Sequence, residues 1–204
     1  MLPFFLMTDT KNFRMDPMIG VGLMKLEDRI RSCAMEYLSI EDISLKQHSV
    51  AMCRRMVVVL ITNMVKPTPI IEKISRAIYM TPGIVTYTRK NFTAIYEGEG
   101  KMMHFIYTNI KNKVEGKRYF ELSEFFQMCI DRYPETDNLF FYNAKPLAMY
   151  FVKQNMSTQE INHILGFPSG VKPIDFELDN KDSYFSAIDS VIDEMMLVLK
   201  QQTK

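Results

Sequence analysis

Three observations predict an all-α protein, a helical bundle built from two similar helical units in tandem. Apolar residues recur at spacings of three and four along most of the chain, the period of one helix face. Proline, glycine and capping residues fall where those stretches begin and end. The order of the pieces then restarts in the second half. AKPLAMYFVKQNM and STQEINHILGF (Ala144–Phe167) follow the rhythm of MCRRMVVVLITNM and TPIIEKISRAIYM (Met52–Met80).

The lead-in, residues 1–22, mixes Pro3, Pro17, Gly20 and Gly22 with polar residues and reads as poorly ordered. Its apolar run Leu2–Met7 is too short for a signal-peptide core, and no run in the chain reaches the roughly 20 residues of a membrane span. Both point to a cytoplasmic protein without a membrane partner.

The first unit, residues 23–117, opens with a helix whose Leu26, Ile30, Cys33, Ala34, Tyr37 and Leu38 share a face, closed by Ser39. Ile40–Lys46 forms a short turn-like element. Ser49 is a candidate cap for a second helix carrying Met52, Met56, Val59, Leu60 and Met64. The run MVVVLI would also suit a strand, but its length and flanks favour a buried helix. Lys66-Pro67-Thr68-Pro69 leads to a third helix, with a buried stripe expected at Ile70/Ile71, Ile74 and Ala77/Ile78. Thr81 is placed to cap a fourth, with Pro82 at its first position. There Val85, Thr88, Phe92 and Ile95 share the inner face. Thr86, Tyr87, Lys90 and Thr93 lie on the other, with Arg89 at its edge. Glu97-Gly98-Glu99-Gly100 stops this helix, and a fifth, marked by Met102, Ile106, Ile110 and Val114, ends at Glu115-Gly116.

The second unit, residues 118–204, begins with a helix carrying Phe120, Leu122, Phe125, Phe126, Cys129 and Ile130, stopped near Tyr133-Pro134. A separate short element is expected at Leu139–Tyr142, then a helix over Asn143–Met156. Ser157 and Glu160 have capping-box spacing for the next. A loop follows Phe167, and a last helix covers roughly Asp182–Lys200.

The net charge of +1 hides an asymmetry. Residues 1–118 hold 18 Lys and Arg against 11 Asp and Glu, whereas residues 119–204 hold 7 against 13. A basic half beside an acidic one suggests that only the first faces nucleic acid. The three cysteines, Cys33, Cys53 and Cys129, lack any CxxC pairing and read as free thiols. His48, His104 and His163 show no ligand spacing, so no metal or cofactor is expected. No carboxylate pair, Ser/His/Asp order or Gly-rich phosphate loop has a catalytic pattern, and Glu97, Glu99, Asp175, Glu177, Asp179 and Asp182 read as turn and solvated charges, which argues against an enzyme.

The wording of Ser49–Leu60, SVAMCRRMVVVL, resembles the basic loop and following helix (SVARPRQMAMAL) of the C-terminal DNA-binding domain of the bacterial replication initiator DnaA. The flanking order is similar as well. Ala34–Tyr37 with Ile40–Ile43 resembles the family's VAEYF…DLL, Ile71–Ile78 its SLPEIG helix, and Gly83–Phe92 its TTVLHACRKI. The second-half sequence Ala144–Phe167 resembles the same pattern, which would make two degenerate copies in tandem. The family's DHTT is replaced here by Thr81-Pro82-Gly83-Ile84, and the first Arg and the Pro of its VARPR loop by Met52 and Cys53, while its second Arg matches Arg54. No ATPase phosphate loop accompanies the resemblance.

The resemblance implies a helix-turn-helix that binds double-stranded DNA, with a recognition helix near residues 82–96 and a basic loop near residues 46–55. Thr81, Thr86 and Tyr87 would then meet bases or phosphates, and Arg89 and Lys90 would neutralise backbone charge. Lys46, Arg54 and Arg55 would hold the adjoining strand or enter the minor groove, with Ser49 in the same loop. Such a protein would regulate replication or transcription. The alternative is a protein-interaction module that keeps the fold without DNA binding. Its support is the acidic second half, which would carry the protein contact, together with 17 Met and 14 Phe suited to adaptable apolar grooves.

Overall fold

The structure is a computed structural model that describes residues 25–45, 48–132 and 140–201. Among them the regular structure is helical throughout, without a strand. The order is α1 (Leu26–Tyr37), α2 (His48–Met64), α3 (Ile71–Ala77), α4 (Pro82–Ala94), α5 (Lys101–Glu115), α6 (Leu122–Asp131), α7 (Phe140–Lys153), α8 (Thr158–Leu165) and α9 (Lys181–Gln201). A π turn at Ile95–Glu99 joins α4 to α5, and a short 3-10 turn at Pro173–Asp175 precedes α9.

Helix α2 holds the bundle together. Met56, Val57, Val58, Val59 and Leu60 are all buried, so this helix needs neighbours on every side. It finds them in α1, α4 and α8. Each valine gives up about 0.5 kcal/mol of helix propensity, but burying its side chain is worth about 1.5–3 kcal/mol. Burial therefore decides that MVVVLI is helix. The remaining layers follow from α2: α5 packs on α1 and α9, while α6 and α7 pack on α9. Buried side chains from Ile30 to Leu199 belong to one apolar cluster, so both halves of the chain share a core.

The breaks are set locally. Gly98 takes φ 157° and ψ −17° inside the π turn, a conformation that favours glycine. At Gly100 a Cβ would lie 2.8 Å from Ile95 Cγ2, so the turn closes tightly there.

Several expectations are corrected. Phe120 is not part of α6, which begins at Leu122 after the cap Glu121, so its buried face is carried by Phe125, Phe126 and Cys129. Ile70 is not in the buried stripe: it is the extended residue before α3 and is 69% exposed, so the stripe is carried by Ile74 and Ile78. Tyr142 does not end a separate element. One helix runs from Phe140 through Pro146 to Lys153, because Ala144, Leu147, Ala148 and Phe151 bury a continuous face that outweighs the one backbone N–H lost at proline. The lead-in 1–22, Lys46, and the stop at Tyr133-Pro134 lie outside the described residues. No described helix is long and apolar enough to cross a membrane.

Candidate functional site

The site is built from α3, the turn after it, and α4. Ile78 N–H still bonds Ile74 O at 3.2 Å, and Tyr79 then swings into the left-handed region at φ 54°. The turn is locked twice. Met80 N–H donates to Ser75 O at 3.0 Å, and the Ser75 hydroxyl donates to Met80 O. Thr81 caps α4 as its position in the sequence predicts, accepting from Ile84 N–H at 3.4 Å, with Pro82 in the first turn. Two helices are thus held across a fixed turn and pack on each other.

Helix α4 has two faces. Val85 and Thr88 are buried against α2, with Phe92 half-buried beside them. Gly83, Ile84, Thr86, Tyr87, Lys90 and Asn91 are exposed, and Arg89 is half-buried at the edge. Polar groups on this outer face turn back on their own helix. Thr86 Oγ1 donates to Pro82 O at 3.1 Å, Asn91 Nδ2 to Tyr87 O at 2.8 Å, and Thr93 Oγ1 to Arg89 O at 2.7 Å. Arg89 and Lys90 have no carboxylate partner among the described residues, and with Thr86 they border a shallow recess of about 350 Å³.

The two arginines expected on phosphates are engaged inside the protein. Arg54 donates through Nε and Nη2 to Ile43 O at 2.8 and 2.6 Å, and through Nη2 to Leu45 O at 2.6 Å. It stitches the α1–α2 connection to α2. Arg55 Nη2 lies 2.5 Å from Glu160 Oε1, its Nε donates to Tyr96 Oη at 3.4 Å, and its guanidinium sits 4.7 Å over the Phe92 ring. Burial works against the Arg55 charge, but Tyr96 and Glu160 more than offset it and its pKa rises. The same burial pushes the Tyr96 phenol up to about 12, against the pull of Arg55. Drawing either guanidinium out to a phosphate breaks charge-assisted bonds worth about 1.5–3 kcal/mol each. The basic loop expected near residues 46–55 is corrected: α2 already begins at His48, so Arg54 and Arg55 project from a helix and Ser49 lies inside its first turn rather than capping it, while Lys46 is outside the described residues.

Glu160 is the residue that sequence reasoning missed. Its capping-box role is present: Oε2 accepts from Ser157 N–H and Ser157 Oγ, both at 2.9 Å. Its other oxygen holds Arg55, a partner 105 residues away that no local pattern could supply. The rings of Tyr87, Phe92, Tyr96 and Tyr107 run inward from the outer face of α4, with successive centroids 6.2, 5.9 and 6.2 Å apart.

Two histidines and two cysteines elsewhere are engaged within the bundle. His104 Nδ1 lies 2.7 Å from Tyr96 O and His163 Nε2 lies 2.8 Å from Leu38 O. Burial pushes the thiols of Cys53 and Cys129 up to about 12. Part of the acidic second half is paired with cations: Asp189 and Asp193 hold Lys101 at 3.3 and 2.8 Å, and Glu194 holds Arg132. The site is therefore a locked pair of helices on an all-α bundle, whose second helix shows an exposed face edged by two cations without a carboxylate partner among the described residues. No protein-family model, curated protein or solved structure matches the chain.

Proposed function

We propose that this is a non-enzymatic duplex-DNA-binding protein in which α3 and α4 act as a helix-turn-helix and α4 enters the major groove. The observation that carries the reading is the outer line of α4, where, among the described residues, Gly83, Thr86, Tyr87 and Lys90 are exposed beside Arg89. A recognition helix needs such a face, with cations at its border to meet phosphates. The resemblance of residues 23–117 to the DnaA C-terminal domain supports the same reading, with residues 118–204 as a degenerate second copy. A cytoplasmic regulator of replication or transcription is the role that suits it.

Because Arg54 and Arg55 are tied internally, fewer phosphates are available than a basic loop would offer. Arg89, Lys90 and the exposed Arg76 would neutralise about three, giving log K a slope near −2.7 against log salt. Fluorescence anisotropy with duplex DNA at about 50 and 200 mM salt tests this, with about 40-fold weaker binding expected at the higher salt. Absence of binding at the lower salt overturns the proposal.

One observation favours a second reading. Tyr79, Ile84 and Tyr87 are 63%, 48% and 59% exposed around one recess of about 340 Å³. An apolar side chain of a partner protein would fit that recess, which is the interaction-module alternative. Duplex binding that ignores salt, or none, would move the balance to it.

A further inference from the structure

We infer that the duplex taken by this surface is rich in A·T pairs and is read through thymine methyl groups rather than through bidentate hydrogen bonds. This rests on the DNA-binding reading and adds the substrate class.

Base edges in the major groove are usually read in pairs of hydrogen bonds: Arg or Lys on guanine, Asn or Gln on adenine, Asp or Glu on cytosine. The first two turns of α4 expose none of these side chains. The Thr86 hydroxyl has given its hydrogen to Pro82 O, and the Tyr87 phenol offers a single O–H rather than a bidentate pair. Asn91 is the one amide further along, and its Nδ2 is bonded to Tyr87 O. Arg89 is half-buried at the far edge of the face, away from Ile84 and Tyr87, and Lys90 remains as a point charge, better suited to phosphate than to a planar base edge. What the helix offers the groove at its N-terminal end is Ile84 and Tyr87, with Tyr79 from the turn beside them.

Apolar groups at that position have one matching feature on B-DNA, the C5 methyl of thymine, which cytosine lacks. The surface is held ready for it. The Tyr87 ring stands edge-on to Phe92 with centroids 6.2 Å apart, and Phe92 is itself covered by the Arg55 guanidinium. Contact therefore costs little ordering of side chains. Charge complementarity selects a polyanion as the occupant: Lys90 lies one turn beyond Tyr87, Arg89 borders the recess on the other side of the helix, and neither has a carboxylate partner among the described residues.

The test is anisotropy at about 50 mM salt with four matched duplexes. One pair is A·T-rich, containing either thymine or deoxyuridine; the other is G·C-rich, containing either cytosine or 5-methylcytosine. Replacing thymine by deoxyuridine should weaken binding about fourfold for each contacted methyl, the factor that burying one such group is worth. With two or three contacts the loss is tenfold or more, and 5-methylcytosine should strengthen binding in the same proportion. The double variant Ile84→Ala with Tyr87→Ala should still fold, since both side chains are exposed, which circular dichroism checks. It should bind the thymine and deoxyuridine duplexes equally. Equal affinity of the intact protein for those two duplexes overturns the inference and leaves the DNA reading standing. A double variant that still prefers thymine overturns the assignment to these residues. No binding to any of the four overturns both.

Discussion

Arg55 Nη2 stands 2.5 Å from Glu160 Oε1 and ties α2, in the first half of the chain, to α8 in the second. The two side chains differ in exposure, 22% for Arg55 and 3% for Glu160, so the carboxylate depends on the pair more than the guanidinium does. Glu160→Ala strands a partly buried cation and removes the α8 capping box, for an expected loss of about 2–4 kcal/mol. Glu160→Gln keeps most of the cap and should cost less. Urea unfolding of both variants checks the order, and a loss below about 0.5 kcal/mol for the alanine variant would show that the pair contributes little.

Arg54 is expected to matter for stability before it matters for any ligand. Arg54→Ala frees the carbonyls of Ile43 and Leu45 and should cost about 1.5–3 kcal/mol. Limited proteolysis should then cut first within residues 40–47. Unchanged stability with a lower duplex affinity would instead place the guanidinium on phosphate.

Arg89→Ala with Lys90→Ala should leave stability within about 0.5 kcal/mol, because neither has a carboxylate partner among the described residues. Duplex binding should weaken similarly for every sequence, and the salt slope should shrink by about 1.8. A change in sequence preference without a change in slope would contradict that assignment.

The Glu27–Lys73 pair gives a pH signature. The hydrogen bond from Lys73, at 2.6 Å, holds the Glu27 carboxyl below its ordinary value. The folded state therefore binds this proton less readily than the unfolded chain does. Its contribution is present above the ordinary carboxylate range near 4.5 and is lost as pH falls through and below it. Lys73 is 57% exposed, so the effect should be small and shrink in salt. Thermal unfolding from about pH 6 to pH 3 should show a shallower acid loss for Glu27→Gln than for the unaltered chain.

Thiol chemistry should separate the three cysteines. Cys53 and Cys129 are buried and their pKa values stand near 12, so the reactive thiolate is scarce at neutral pH. Cys33 is half-buried and should react first with a maleimide, the other two only on unfolding. Equal labelling rates in the native protein would mean that the core opens readily.

Much of the helical order was legible because its signals are local. Thr81 and Pro82 mark the start of α4, Ser157 and Glu160 the start of α8, and the spacing of Val85, Thr88 and Phe92 the inner face of α4. What was not legible depends on distant partners. Nothing in the string SVAMCRRM distinguishes an arginine waiting for phosphate from one bonded to Ile43 O, because that partner is brought up by the path of the α1–α2 connection. The Arg55–Glu160 pair spans 105 residues and needs the packing of α2 on α8 to exist. Ile70 misled for the opposite reason: its periodicity fits the stripe, but it sits one residue before the helix begins and its backbone is extended.

The row of rings from Tyr87 inward also gives the molecule a built-in optical reporter. The chain holds 10 tyrosines and no tryptophan, so its ultraviolet emission is tyrosine emission. Tyr87 is the outermost ring of the row, and Tyr96 and Tyr107 behind it are stacked at 6.2 Å, close enough to pass excitation among them. A partner that settles on the outer face of α4 should dim this light, and the dimming should vanish in Tyr87→Phe, with no label attached.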